Sequence, residues 1–340
     1  MQKEIKERKK LLDEHNNIIE PGYCLQLLPI YNKKTDLFTR FKTKEWDYYY
    51  IGNDHYGLAL TIADNGYMGL DSISFLNFDE KWQITKSPMQ FMTLGSKAHP
   101  SSSTTGDLSS KGNGYELTFL NNNGSRRLKG HMNDFQGNNK ISWDVSLSET
   151  GKDSLVIATP FKKKGHFYFN QKINCLQAKG QVTIGDKKYD FNNCHGVLDW
   201  GRGIWTYNNT WYWSSLSCEV NGTAFGFNLG YGFGDTSAAS ENILFYNGKA
   251  HKLDQVDFGL PTKGNRDDYY ADWHFTDNEN RLDLTFKPIL DRASKTSALI
   301  IESDQHQVFG KFYGHCRLDD KTIIQLNGQL GFAEKVKNRW

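Results

Sequence analysis

From about residue 45 onward, the chain alternates short apolar runs with turn-forming residues. Segments 46–52, 57–64, 73–78 and 89–94 are rich in aromatic or β-branched residues and are bounded mostly by Gly, Asn or Asp. In 141–147, Ile, Trp, Val and Leu take every second position, with Ser or Asp between them. That is the period of a strand with one buried face. The pattern therefore predicts an all-β protein built largely from antiparallel meanders.

Three dipeptides mark tight turns between such runs. Gly185–Asp186, Asn221–Gly222 and Asn247–Gly248 each separate two strand-like segments, as in two-residue hairpin loops. Five more strand-like segments follow in the C-terminal part, at 268–277, 281–289, 298–303, 308–316 and 322–336. Residues 1–15 could instead form a short charged helix or a partly docked arm. The polar stretch 101–114 is expected to be an exposed loop.

The strand-like segments fall in similar numbers on the two sides of residue 196. We therefore expect an N-terminal arm and lead-in over 1–44, a first β-barrel-like domain over 45–195 and a second over 196–340. A single large sandwich is the alternative, because the two halves show no clear sequence repeat.

Composition and charge narrow the functional classes. Lys and Arg (41) nearly balance Asp and Glu (39), for a net charge of +2, which argues against a nucleic-acid partner. No run approaches the ~20 apolar residues of a membrane span, and the charged first residues lack the apolar core of a secretory signal. Five widely spaced cysteines favour reduced thiols in a cytoplasmic protein. We expect no metal and no cofactor, and oligomeric partners stay open.

The densest unusual segment is 194–213. It carries one acid, one guanidinium and four indoles, namely Asp199, Arg202, Trp200, Trp205, Trp211 and Trp213. A carboxyl among indoles loses hydration, which favours its neutral form, and a neutral carboxylic acid can protonate an alkene or a leaving-group oxygen. Asp199 is thus the candidate acid, with Arg202 orienting it or binding an anionic substrate end. A structural Asp–Arg pair that pins a crossover loop is the alternative.

Several other residues are candidates for the wall of a binding cavity. They are Trp200, Trp205, Trp213, Asn228, Glu241, Asn242 and Glu334. The two glutamates stand in apolar surroundings, although each could equally cap a strand or pair with a neighbouring cation. His195 lies four residues before Asp199 and could shuttle protons.

Separated motifs give the chain a family resemblance. HGVLDWGRGIW, KEWDYYYIGN, ENILFYNGKAHKL, QVFGKFYGH and GFAEKVKNRW resemble, over residues 20–340, the family known as domain of unknown function 2804. That family is distantly similar to lipocalin-like proteins related to hydroxyneurosporene synthase and AttH, including carotenoid hydratases and tocopherol cyclase. The resemblance implies two lipocalin-type (calycin) barrels side by side. It also places Asp199, Trp200 and Gly201 at an acid-Trp-Gly motif that starts the second barrel, and Glu334 on a late Gly-rich strand.

Three functions remain open at this point. The first is an enzyme that needs neither metal nor nucleotide and hydrates or isomerises a hydrophobic, lipid or isoprenoid-like molecule by acid catalysis. The second is a non-catalytic lipid carrier with the same cavity. The third is a carbohydrate-active or sugar-binding β-protein, since indoles and phenols also stack on sugar rings. The sequence does not decide whether the protein is an enzyme.

Overall fold

The computed structural model describes residues 2–298 and 301–339, and almost all of its regular structure is β. Within the first 204 residues, fourteen strands form one antiparallel sheet. They are β1 Gly22–Cys24, β2 Thr43–Gly52, β3 Tyr56–Asp64, β4 Met68–Asn77, β5 Trp82–Lys86, β6 Met89–Phe91, β7 Leu108–Gly112, β8 Tyr115–Asn122, β9 Ser125–Gln136, β10 Asn139–Ser148, β11 Leu155–Pro160, β12 Phe167–Ile184, β13 Lys187–Asp190 and β14 His195–Ile204.

The remaining strands form a second antiparallel sheet and a small two-stranded ribbon. The ribbon consists of β20 Thr262–Lys263 and β21 Arg266–Asp267. The sheet strands are β15 Asn208–Val220, β16 Thr223–Tyr231, β17 Ile243–Tyr246, β18 Lys249–Lys252, β19 Val256–Asp257, β22 Trp273–Asp277, β23 Leu282–Ala298, β24 Ile301–Arg317 and β25 Ile323–Arg339. The second-half segments 298–303 and 308–316, predicted as separate strands, belong mainly to the one long strand β24; residues 299 and 300 lie outside the described residues.

Each sheet curls around its own apolar core. The strand order of the first is β5-β4-β3-β2-β14-β12-β10-β9-β8-β7, and that of the second is β18-β17-β16-β15-β25-β24-β23-β22-β19. Large, fully buried aromatic side chains such as Phe75 and Phe169 occupy the first core, and Phe225 and Trp273 the second. The predicted all-β, lipocalin-like fold class is confirmed. Among the described residues, no helix is long and apolar enough to span a bilayer.

The three predicted hairpin turns are confirmed. Ile184 pairs with Lys187, Val220 with Thr223 and Tyr246 with Lys249, so each turn holds two residues. In the two Asn-Gly turns, both central residues have positive φ angles between 49° and 74°. Asn and Gly tolerate that conformation, and its twist matches that of the flanking strands.

The lead-in segment differs from the prediction in one respect. Residues 2–15 are not helical; they make isolated bridges, and the side chains of Ile5 and Leu11 pack into the first core. The short helix α1 lies later, at Leu37–Lys42, and Asp36 caps it by accepting a hydrogen bond from the Thr39 backbone N–H. Burying two apolar side chains outweighs the weak helix propensity of so short a charged segment.

The predicted loop 101–114 needs correction, and the predicted boundary between the two domains stays a prediction. Part of the expected loop 101–114 forms strand β7, where Leu108 is buried. The chain passes from the first sheet to the second between Ile204 and Asn208, so β14 belongs to the first sheet. The proposed domain division at 195/196 itself remains a prediction.

Candidate functional site

The seam between the two sheets carries an unusual set of buried polar groups. Strand β14 places Val197, Asp199 and Gly201 on the face toward the second sheet, while Leu198 and Trp200 point into the first core. This division follows from the two-residue period of a strand. Asp199 is 7% exposed, so its carboxyl has lost most of its hydration.

A lysine compensates the Asp199 carboxylate. Lys172 stands opposite Asp199 on the neighbouring strand β12, with its Nζ 2.9 Å from Oδ2. Asn170 donates a hydrogen bond of 2.5 Å to Oδ1 from the same strand. The Lys172 ammonium also lies 3.8 Å from the ring centroid of Trp213 in the second sheet. A buried charge is tolerated only with such partners, and this one links the two sheets.

Glu334 brings a second buried carboxyl to the seam from β25. Its two oxygens accept hydrogen bonds from Trp211 Nε1 at 3.0 Å and from Gln307 Nε2 at 3.1 Å. Burial raises the pKa of Glu334 to about 7, although the Trp211 bond and the Lys172 charge oppose the shift. Near neutral pH this carboxyl is therefore poised between its protonated and ionised forms.

Glu241 supplies a third carboxyl, just before β17. Its Oε2 lies 3.5 Å from the Tyr168 hydroxyl, and its backbone oxygen accepts a hydrogen bond from Asn228. Burial raises the pKa of Glu241 to about 7, with Lys172 acting against the shift and Asp199 adding to it. We call Asp199, Glu241 and Glu334 the carboxyl cluster, because each glutamate's pKa responds to the charges of Asp199 and Lys172.

Aromatic side chains cover the carboxyl cluster on one side. They form one contiguous group, which we call the aromatic cluster: Trp46, Tyr168, Trp205, Trp211 and Phe233. Tyr168 connects it to Glu241, and Trp211 connects it to Glu334. The three indoles are only partly buried. Apolar ring surface thus reaches from the protein's exterior to two protonatable carboxyls.

The predicted pairing of Asp199 with Arg202 is wrong. The segment is a strand rather than a loop, so residues three apart point to opposite faces. Arg202 is fully buried in the first core, where it contacts Asp47 at 3.0 Å and Glu45 at 3.7 Å. Its guanidinium also packs on the Trp200 ring at 4.1 Å. Arg202 and Trp200 therefore lie away from the seam that holds Asp199.

The other predicted site residues lie on the seam or next to it. Trp213 donates a 2.7 Å hydrogen bond from Nε1 to Asn228 Oδ1, and both are buried. Asn242 accepts from the Gly230 backbone and donates to the Asp254 carbonyl. The amides of Asn228 and Asn242 thus tie β16 to the segment that carries Glu241. Trp205 belongs to the aromatic cluster.

Sequence reasoning missed the residues of β12. Asn170, Lys172 and Asn174 are all buried and project to the same side of this strand toward the second sheet. The sequence carries little signal for them, because four of the five residues in the run NQKIN are polar and only Ile173 is apolar. Such a polar run is ordinarily solvated, and only the second sheet buries this face of it.

A separate pocket of about 370 Å³ lies further along the same seam. Strands β2, β14, β15 and β25 all contribute to its lining, which includes Tyr50, His195 and Glu219. Neither Asp199 nor the two glutamates of the carboxyl cluster line it. His195, predicted as a proton shuttle for Asp199, instead faces this pocket.

Comparisons with known proteins define the chain's relatives. The model of the family described as Domain of unknown function (DUF2804) matches residues 2–340. A crystal structure of a protein assigned as AttH from Nitrosomonas europaea superposes with a TM-score of 0.55 at 10% identity, covering 91% of this chain and 98% of that chain. No functionally curated protein matches the sequence.

Two further solved structures are similar at lower scores. Kievitone hydratase from Nectria haematococca has a TM-score of 0.49 at 12% identity, with 98% of each chain covered. The protein CghA has a TM-score of 0.49 at 8% identity, covering 98% of this chain and 97% of that chain. At 10% sequence identity, the similarity to the AttH structure shows a shared fold and nothing more.

Proposed function

Since the chain belongs to the DUF2804 family, we propose that it binds a small, largely apolar molecule at the seam between its two sheets and protonates it through Glu241. The observation that carries this proposal is a buried carboxyl whose pKa is raised to about 7 and which lies next to Tyr168. The Tyr168 ring in turn stacks on the partly exposed indole of Trp46. General acids work best when their pKa lies near the operating pH.

Glu241 suits the donor role better than its two neighbours. Asp199 holds an ion pair with Lys172, and Glu334 already accepts two hydrogen bonds that favour its ionised form. Among the described residues, the hydrogen-bond partner of the Glu241 carboxyl is the Tyr168 hydroxyl alone, at 3.5 Å. In this proposal the Asp199–Lys172 pair sets the local charge, and the aromatic cluster binds the apolar body and stabilises a cationic intermediate through its ring faces.

The proposed reaction is either hydration of a carbon–carbon double bond or isomerisation, in which the double bond changes position. Glu241 gives its proton to an alkene carbon, leaving a carbocation and a carboxylate. Water then adds to the cation and returns a proton to the carboxylate, or the cation gives a different proton back to the carboxylate and the double bond moves. Both routes regenerate the acid without a redox partner.

The test uses purified full-length protein, an isoprenoid alcohol such as farnesol, and isotopically labelled water. We expect hydrated or isomerised product from the wild type. Glu241→Gln should lower turnover by about a hundredfold or more while keeping binding. Asp199→Asn should weaken turnover less, and the exposed Glu116→Gln should change nothing. Equal activity of Glu241→Gln and wild type would remove Glu241 from the mechanism.

A carrier without chemistry is the second candidate, and the near-complete burial of all three carboxyls favours it. Displacement of the uncharged fluorophore N-phenyl-1-naphthylamine by farnesol, with no product formed by the wild type, would select the carrier. In that case Trp211→Ala, which removes ring surface, should weaken farnesol binding, whereas Glu241→Gln should leave it unchanged.

A further inference from the structure

Large hydrophobic side chains are exposed together at one place beside the first sheet. Among the described residues, twelve large hydrophobic side chains are exposed, and half of them lie in helix α1 or in residues 89–92. They are 44% to 80% exposed: Leu37, Phe38, Phe41, Met89, Phe91 and Met92. Exposed apolar residues are ordinarily scattered singly, and a contiguous group of them marks a contact surface.

Contacts with the turn between β3 and β4 hold these two segments side by side. The Tyr67 carbonyl in this turn accepts a 2.8 Å hydrogen bond from the Met92 backbone N–H, and the Tyr67 ring lies 5.9 Å from that of Phe41. The Arg40 guanidinium of α1 also donates to the Leu94 carbonyl at 3.0 Å. The six exposed side chains therefore belong to one surface, which we call the apolar patch.

Lysines adjoin the apolar patch. The Lys42 ammonium lies 3.8 Å from the ring centroid of Phe38, so its aliphatic stem covers the ring while its charge stays in water. The loop 161–166 brings three more exposed lysines, at 162–164, to the same end of the first sheet. Thr43, Ile204 and Phe167 pair in register there, and α1 and this loop directly precede β2 and β12.

The region around the apolar patch is richer in cations than the chain as a whole. Residues 33–44, 86–97 and 161–166 contain ten Lys or Arg and one acid, Asp36. Two of these lysines pair with acids inside the fold. Glu14 and Asp235 adjoin the region, since Lys34 donates to the Glu14 carbonyl and the Asp235 N–H to that of Pro160. Cations still exceed acids there.

From these observations we infer that the apolar patch docks the protein on the surface of a bilayer that contains anionic lipids. The patch side chains enter the boundary between headgroups and acyl chains, and the lysines contact the anionic headgroups. A protein partner fits this surface less well, because lysine is depleted in protein–protein interfaces, whereas here the Lys42 ammonium lies directly over a patch ring.

The docked orientation places the aromatic cluster close to the bilayer. The Phe161 ring, at the start of the lysine loop, lies 5.2 Å from the ring of Phe233 in that cluster. An apolar molecule dissolved in the bilayer would thus have a short path to the seam, a consequence that rests on the proposed function. Membrane docking itself does not depend on proton transfer by Glu241.

Co-sedimentation of the full-length protein with vesicles tests the inference. One set of vesicles contains phosphatidylcholine alone, and the other contains phosphatidylcholine and phosphatidylserine at three to one. We expect partitioning onto the anionic vesicles to be about tenfold stronger, and Glu241→Gln to bind them like the wild type. Absence of binding to the anionic vesicles, or equal binding to both sets, would overturn the inference.

A pair of double variants places the binding on the apolar patch. Phe38→Ser with Phe91→Ser should weaken partitioning by about tenfold, because two rings no longer enter the bilayer. Tyr270→Ser with Ile323→Ser, which alters two exposed side chains outside the patch, should leave it unchanged. Sedimentation velocity without lipid supplies the competing outcome. A wild-type dimer that the first variant dissociates, together with no vesicle binding, would assign the patch to a second copy of the chain.

A second pair of double variants tests the charge requirement. Lys42→Gln with Lys163→Gln should weaken binding to the anionic vesicles by about fivefold to tenfold without changing binding to phosphatidylcholine. Lys249→Gln with Lys263→Gln, two exposed lysines elsewhere, should bind like the wild type. All four positions are exposed, so circular dichroism should show folded proteins. Equal losses in the two variants would mean that net charge, rather than this surface, governs vesicle binding.

Discussion

At the scale of single residues, the carboxyl cluster is the feature that distinguishes this protein from an ordinary β-protein. Three acids share the seam with Lys172, which forms an ion pair with Asp199. For the two glutamates, burial outweighs the opposing interactions and raises the pKa of each to about 7, so each is partly protonated at neutral pH. Such perturbed groups concentrate at functional sites, although structural networks also produce them.

The same burial predicts how stability depends on pH. Unfolded glutamates lose their protons near pH 4.5, whereas Glu241 and Glu334 keep theirs to about pH 7 in the folded protein. Between these values the folded state binds more protons, so the free energy of unfolding falls as pH rises. The loss is of the order of 3 kcal/mol for each glutamate, is absent below pH 4.5 and is complete above pH 7.

Urea unfolding from pH 5 to pH 8 measures this dependence. Glu334→Gln should give a flatter curve than the wild type, because one of the two titrating groups is gone. The exposed Glu116→Gln should keep the wild-type slope. Parallel curves for wild type and Glu334→Gln would show that this carboxyl is already ionised in the folded protein.

At the scale of elements, strand β14 divides its side chains between two environments. Trp200 and Arg202 belong to the first core, whereas Asp199 and Gly201 face the seam. Gly201 is required there because the Trp46 indole lies flat against its backbone. A Cβ at this position would come within 1.9 Å of that ring. Gly201 therefore sets where Trp46, one wall of the aromatic cluster, can lie.

Gly201→Ala should consequently lower the free energy of unfolding by about 1–3 kcal/mol, the usual cost of overpacking. It should also displace Trp46 and change the tryptophan fluorescence. Combining it with Trp46→Leu, which makes room for the methyl group, should recover part of the loss. If the double variant is as unstable as the sum of the single ones, the two residues do not interact as described.

At the scale of the whole molecule, an apolar interface joins the two sheets. Tyr48, Tyr50 and Val197 from the first sheet pack with Trp213, Phe309 and Phe332 from the second. The Phe332 ring centroid lies 4.8 Å from that of Trp213 and 5.8 Å from that of Tyr50. Tyr50, Val197 and Phe332 also line the His195 pocket, and Trp213 contacts the Lys172 ammonium that pairs with Asp199. The interface therefore supports both sites.

Phe332→Ala should destabilise the protein by about 3–5 kcal/mol, as expected for a buried phenylalanine. Because the interface couples the sheets, circular dichroism and tryptophan fluorescence should still report a single transition. The exposed Phe91→Ala serves as the control and should leave the midpoint unchanged. Two separate transitions in the wild type would mean that each sheet folds independently of this interface.

Local sequence signals determined the strands, the three hairpin turns and the all-β class. The alternation in 141–147 and the Asn-Gly turns act over a few residues, so they can be recognised without knowing the rest of the chain. The importance of segment 194–213 and of Glu241 and Glu334 was also visible, because acids amid aromatic residues are uncommon.

Only the tertiary structure decided which of those acids and bases meet. Treating 194–213 as a loop allowed Asp199 and Arg202 to pair, but a strand sends them to opposite faces, where Lys172 and Asp47 are their partners. Lys172 is distant from Glu334 in the sequence, and they share one electrostatic environment because the second sheet closes over β12. Burial of a polar face depends on what packs against it, and that information lies in contacts between distant segments rather than in the period of any one strand.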